Sequence, residues 1–127
     1  MIAVDTSSLI AYLSGGDGVD VNAVEVAFAE KQAVLPPVVL AELLSDPALP
    51  LAVARLFEQI PLLALTEGYW ERVGRLRARL LGRRRKARLA DALIAQSCLD
   101  HDTALVTRDR DFRHFAQLAR LKLATSI

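Results

Sequence analysis

Short apolar runs alternate with amphipathic stretches along the whole chain. Ile2-Ala3-Val4 is apolar and β-permissive, and it gives way to Asp5-Thr6-Ser7-Ser8, residues that start helices. Leu9, Ile10 and Leu13 then mark a short helix stopped by Gly15-Gly16, with a turn over 17–20. Apolar residues at 24, 27 and 28 predict a helix over 21–32. Ala33-Val34-Leu35 predicts a second strand ended by Pro36-Pro37, and Pro37 suits the first turn of a helix over 37–44. Pro47 and Pro50 punctuate, a further helix is expected over 51–59, and Pro61 stops it. Residues 62–65 predict a third strand. Thr66 with Glu67 opens a helix whose inner stripe is Trp70, Val73, Leu76 and Leu80, and Gly82 ends it. A helix over 87–99 turns Leu89, Ala92, Leu93, Ile94 and Ala95 inward. Residues 104–106 predict a fourth strand, 111–119 a last helix and 121–124 a fifth, edge strand.

Apolar strands this short, separated by helices, imply βαβ units. The expected class is α/β: a three-layer α/β/α sandwich around a mainly parallel central sheet. Right-handed crossovers put the carboxyl ends of the strands on one edge, where sites form in such folds. No repeat or linker interrupts the 127 residues, so one domain over 1–127 is expected. Cys98 is the sole cysteine, which rules out an internal disulfide, and no Cys/His group has zinc spacing. The start of the chain lacks a basic, signal-like region, and no apolar run approaches the ~18 residues that cross a bilayer. A cytoplasmic protein with no membrane contact is expected.

The net charge of +1 conceals a segregation that changes the picture. Residues 1–71 carry ten acids against Lys31 and Arg55, whereas residues 72–88 carry nine basic residues and no acid. A basic block in an otherwise acidic chain points to a polyanion contact, the plainer alternative being a solvated helix face.

Four acids occupy unusual positions. Asp5 directly follows the first strand and Asp109 follows the fourth by two residues, so the fold brings both to the carboxyl edge. Thr6, Ser7 and Ser8 are equally good helix caps, so Asp5 is surplus to capping. Glu42 sits in Val38-Val39-Leu40-Ala41-Glu42-Leu43-Leu44, where a carboxylate is costly unless it pairs with an arginine or binds metal. Asp91 lies near the start of an otherwise apolar helix, where the dipole favours an anion. Asp111 is a candidate cap for the last helix. Converging carboxylates do not all ionise in apolar surroundings without a cation, and all-oxygen ligation selects hard ions such as Mg²⁺ or Mn²⁺.

The ordered set Ile2-Ala3-Val4-Asp5-Thr6-Ser7, Leu40-Ala41-Glu42-Leu43, Leu89-Ala90-Asp91-Ala92-Leu93-Ile94-Ala95 and Leu105-Val106-Thr107-Arg108-Asp109-Arg110-Asp111-Phe112 resembles the PIN-domain family, specifically the VapC-type toxin ribonucleases of type II toxin–antitoxin pairs. The resemblance spans nearly the whole chain. It implies a Mg²⁺- or Mn²⁺-dependent endoribonuclease that hydrolyses the phosphodiester by activated water, with no catalytic histidine. It implies Asp5, Glu42, Asp91 and Asp109 as metal-site and catalytic acids, with Asp5 and Asp91 foremost. Thr6 and Thr107 match hydroxyl positions beside those acids, and Asp111 is an alternative fourth acid. The partners implied are RNA, a cognate antitoxin and a second copy of the chain. The cluster Arg83, Arg84, Arg85, Lys86 and Arg88 fits an RNA backbone clamp leading into the helix that bears Asp91. The apolar stretch 51–57 fits either a partner groove or the core. His101 and His114 are expected at the surface or at helix ends.

Rival readings fit less well. A receiver-like signalling domain needs a lysine after a late strand, and Lys31, Lys86 and Lys122 are not so placed. Gly15-Gly16-Asp17-Gly18 does not directly follow a strand, which excludes a dinucleotide-binding turn. A catalytically silent, RNA-binding PIN-like protein is the remaining alternative.

Overall fold

A computed structural model describes residues 1–127. Three parallel strands, β1 (Ile2–Val4), β2 (Ala33–Val34) and β3 (Ala104–Val106), form a sheet in the order β2-β1-β3. Seven helices flank it: α1 (Thr6–Leu13), α2 (Val19–Ala29), α3 (Pro37–Leu44), α4 (Leu51–Glu58), α5 (Tyr69–Gly82), α6 (Leu89–Asp100) and α7 (Phe112–Ala119). β1 is central because both of its edges are paired, and Ala3 and Val4 are fully buried. The core runs from Ala3 to Leu121 and includes Leu9, Leu35, Leu80, Ile94, Leu105, Phe112 and Phe115. Each such side chain contributes about 1.5–3 kcal/mol by leaving water. No helix is long and apolar enough to cross a membrane.

Two predicted strands shrink to single bridges, Leu35↔Leu62 and Leu105↔Leu123, both parallel. Along 62–65 only Leu63 is buried, and the Ala64 carbonyl is taken by His101 Nε2 at 2.7 Å instead of by a neighbouring strand. The sheet therefore has three strands and not five. The helix expected from Thr66 starts at Tyr69, because Gly68 adopts a left-handed φ of 82° just before it. Its inner stripe is Tyr69, Val73, Leu76 and Leu80, while Trp70 stands 64% exposed. Tyr69 takes the buried place because its hydroxyl can donate to the Leu93 carbonyl at 2.7 Å and accept from Ser97. Leu89, expected inside, is exposed on the first turn of α6.

Candidate metal centre and nucleic-acid interface

Parallel pairing of β1 with β3 sets Val4 beside Val106. The residues that follow, Asp5 and Thr107, therefore emerge together at the carboxyl edge, and the Asp5 amide donates to the Val106 carbonyl at 2.9 Å. Asp5 is itself the N-cap of α1, so that role does not fall to the three hydroxyl residues after it. Its Oδ1 accepts from the Thr6 amide at 2.8 Å, and its Oδ2 accepts from Ser7 Oγ at 2.8 Å and Thr107 Oγ1 at 2.7 Å. Burial pushes the Asp5 carboxyl above its usual range, the three donors pull it back, and the nearby Asp109 charge adds to the rise.

Asp109 is held by two local bonds. Its amide donates to Thr107 Oγ1 at 3.0 Å, and its Oδ1 accepts from the Asp111 amide at 2.9 Å. Thr107 thus bridges Asp5 and the Asp109 backbone. Asp111 stands at the N-cap position of α7 but makes no side-chain cap bond; it pairs with Lys86 Nζ at 3.0 Å. Oxygens of Asp91, Asp109 and Asp111 all lie within 4.8 Å of one another.

Asp91 is the most constrained member. It sits in the first turn of α6, is 9% exposed, and its Oδ2 is buried without any hydrogen-bond partner. Burial, then the charges of Asp109 and Asp5, push its carboxyl up to about 6; Arg88 works against them and Asp111 with them. A buried carboxylate oxygen with no donor, on a carboxyl clustered with two others, is what a bound hard cation would satisfy. The all-oxygen donor set also matches Mg²⁺ or Mn²⁺.

Glu42 departs from its sequence setting. It stands on the exposed side of α3, not among the apolar residues around it in the chain. There its Oε1 accepts from Thr6 Oγ1 at 3.0 Å. Partial desolvation raises its pKa, the Thr6 bond lowers it, and the Asp5 charge raises it. The structure therefore gathers Asp5, Glu42, Asp91 and Asp109 in one neighbourhood. The tight trio is Asp91, Asp109 and Asp111, with Asp5 and Glu42 beside it.

Arg83, Arg84, Arg85 and Arg88 are exposed and form no ion pair. Arg77 Nε pins this segment to α5 by donating to the Ala87 carbonyl at 2.8 Å. Lys86 differs from its neighbours by reaching Asp111, which brings the basic segment to the rim of the trio. Ser7, a helix-cap candidate from the sequence, is instead a site hydroxyl that donates to Asp5. Its signal was its position two residues after Asp5.

The 51–57 stretch divides: Phe57 is buried, while Leu51 and Leu56 are exposed. Leu56 and Phe57 line an open apolar groove of about 440 Å³ with Leu9, Tyr12, Leu13, Phe28 and Ile60. His101 caps the end of α6, and His114 lies half-buried in α7.

A parallel α/β fold with an acid cluster at its carboxyl edge defines a class, one whose donors are consistent with divalent-metal binding. Within that class the sequence matches the PIN domain over residues 2–118, and the chain belongs to the PIN-domain family. PIN domains are typically metal-dependent nucleases. No protein of curated function matches the chain. The fold is similar to a chain in the crystal structure of FitAcB from Neisseria gonorrhoeae, with a TM-score of 0.74 and 21% identity over 98% of this chain and 97% of that one.

Proposed function

We propose that this PIN domain is a Mg²⁺- or Mn²⁺-dependent endoribonuclease and the toxin of a toxin–antitoxin pair. The observation that carries the nuclease reading is the buried, unpartnered Oδ2 of Asp91, on a carboxyl that clusters within 4.8 Å of those of Asp109 and Asp111. In this reading Asp91, Asp109 and Asp111 hold the ion, which supplies Lewis acidity toward a phosphate oxygen and lowers the pKa of water. Asp5, fixed by three donors, presents a carboxylate that neither rotates nor needs reorganising. Glu42, exposed and tethered by Thr6, is placed to accept a proton from incoming water. Arg83, Arg84, Arg85 and Arg88 grip RNA phosphates beside the acids. The toxin role rests on the likeness to FitAcB and on the family resemblance. A cognate antitoxin or a second copy of the chain would cover the apolar groove beside Leu13 and Leu56.

The test is cleavage of a panel of structured RNAs with Mg²⁺, with Mn²⁺ and with a chelator. Cleavage that appears with either metal and stops with chelator is expected. Tight RNA binding without cleavage under any of these conditions would favour the silent RNA-binding alternative.

Lys86 gives a separate expectation. Its ammonium competes for Asp111, so Lys86→Gln should tighten Mn²⁺ binding in calorimetry. Lys86 is exposed and Asp111 half-buried, so solvent screening limits the gain to about fivefold. Weaker Mn²⁺ binding in the variant would mean that the ammonium helps assemble the trio.

A further inference from the structure

Outside the acid cluster lies a second ionic device that the nuclease chemistry does not use. Asp20, in the first turn of α2, is 5% exposed. Its Oδ2 accepts from Arg108 Nε at 2.8 Å and from Ser8 Oγ at 2.9 Å, and its Oδ1 accepts from Arg108 Nη2 at 3.1 Å. The same Nη2 donates to the Asp17 carbonyl at 3.1 Å. The guanidinium holds the Asp20 carboxyl below its usual range, so the pair stays ionised at neutral pH. The backbone closes on it at Gly18, where φ is +134°. A Cβ there would sit 2.7 Å from Asp20 Oδ1 and 3.5 Å from Arg108 Nη2.

We propose that Asp20 and Arg108 are positioning residues that fix the carboxyl edge for metal binding; this rests on the metal-dependent nuclease reading. The pair joins three segments, and two of them carry site groups. Ser8 adjoins Ser7, whose hydroxyl holds Asp5. Arg108 lies between Thr107, which holds Asp5, and Asp109, whose amide Thr107 anchors. A bidentate fork sets the orientation of the residue that bears it, which a monodentate ammonium does not do. Fixing Arg108 therefore fixes the peptide units on either side of it, and with them the Asp5–Asp109 spacing. Asp20 is buried but the Arg108 side chain is 43% exposed, and an ion pair open to water on one side adds little to stability alone. Its placement one peptide from two site residues gives it a use that stability does not.

The experiment measures Mn²⁺ affinity by titration calorimetry, and metal-free melting in parallel, for wild type, Asp20→Asn, Arg108→Gln, the double variant and Arg108→Lys. Groups that orient ligands are worth about 10–100-fold in metal affinity, and a loss of that size is expected in each single variant. The double variant should lose no more than the singles, because the pair acts as one unit. Arg108→Lys, which keeps the charge without the fork, should fall between wild type and Arg108→Gln.

Variants that melt earlier yet bind Mn²⁺ like wild type would overturn the proposal, as would losses that multiply in the double variant. If Arg108→Gln fails to fold, wild-type affinity in Arg108→Lys overturns it equally. Wild-type protein that takes up no Mn²⁺, indistinguishable from Asp91→Asn, would remove the metal reading and this role together. Binding that Asp91→Asn abolishes and the Asp20 and Arg108 variants preserve would remove this role alone.

Discussion

Asp91→Asn should raise the melting temperature of the metal-free protein at pH 7 while removing RNA cleavage. The two effects have one cause. The folded protein holds the Asp91 carboxyl at about 6 by burying it among other acids, whereas an unfolded chain releases that proton near 3.9. Between those values the folded state binds a proton that the unfolded state has lost, so stability falls as pH rises from about 4 to about 6. Above that window both states are ionised and the penalty stays, on the order of 2–3 kcal/mol. Asparagine removes the charge and offers an N–H donor to the neighbouring carboxylates. The melting temperature should rise by roughly 5 °C or more at pH 7, and the gain should vanish near pH 4, where wild type is also neutral at this position. Cleavage should fall by more than the ~100-fold typical of groups that only support a ligand. Calorimetry at the two pH values and a Mn²⁺-dependent cleavage assay check both halves. Equal melting at pH 7 would mean that Asp91 is not strained by its neighbours. Retained cleavage would mean that it holds no metal.

The parts of this site legible in the sequence are those that depend on chain order. Asp5 and Asp109 follow strands, and a parallel sheet brings such residues to one edge whatever surrounds them. Asp91 was legible because it interrupts an apolar helix. Its unpaired Oδ2 was not, since that depends on which acids meet across α6 and the β3–α7 loop. Glu42 shows the opposite error. Apolar neighbours in the chain suggested burial, but on a helix adjacent residues point about 100° apart, and Glu42 looks outward. The same geometry exchanged Trp70 for Tyr69 in the core, where a hydroxyl with two partners tipped the choice. The Asp20–Arg108 pair joins residues 88 apart. Nothing local to either residue announces the other, because the contact exists only once α2 packs against the sheet.

Replacing Arg83, Arg84 and Arg85 together with glutamine should weaken RNA binding and flatten its salt dependence without affecting the fold. If the site cleaves RNA as proposed, an acid trio at the carboxyl edge repels the phosphate, so such a site needs fixed positive charge close by. This segment supplies it: the arginines are exposed and free of ion pairs, while Lys86 on Asp111 and Arg88 near Asp91 place the segment at the trio. Arg75 and Arg79 lie elsewhere, in a shallow groove with Leu76, Leu99 and Ala119. On single-stranded RNA, removing one phosphate-binding charge lowers the slope of log K against log salt by about 0.7, so the triple change should lower it by about 2 if each arginine meets one phosphate. Neutralising Arg75 and Arg79 instead should leave the slope near that of wild type. The chain turns tightly at Arg84, with φ 57°, through backbone bonds from Arg83, Arg84 and Arg85 that glutamine preserves, so each change should alter stability by less than about 0.5 kcal/mol. Binding titrations across a salt series, with melting curves as the control, read both quantities. A triple variant with the wild-type slope would place the phosphate grip elsewhere, whereas a lowered slope with intact Mn²⁺ affinity would separate RNA capture from metal binding as independent functions of neighbouring residues.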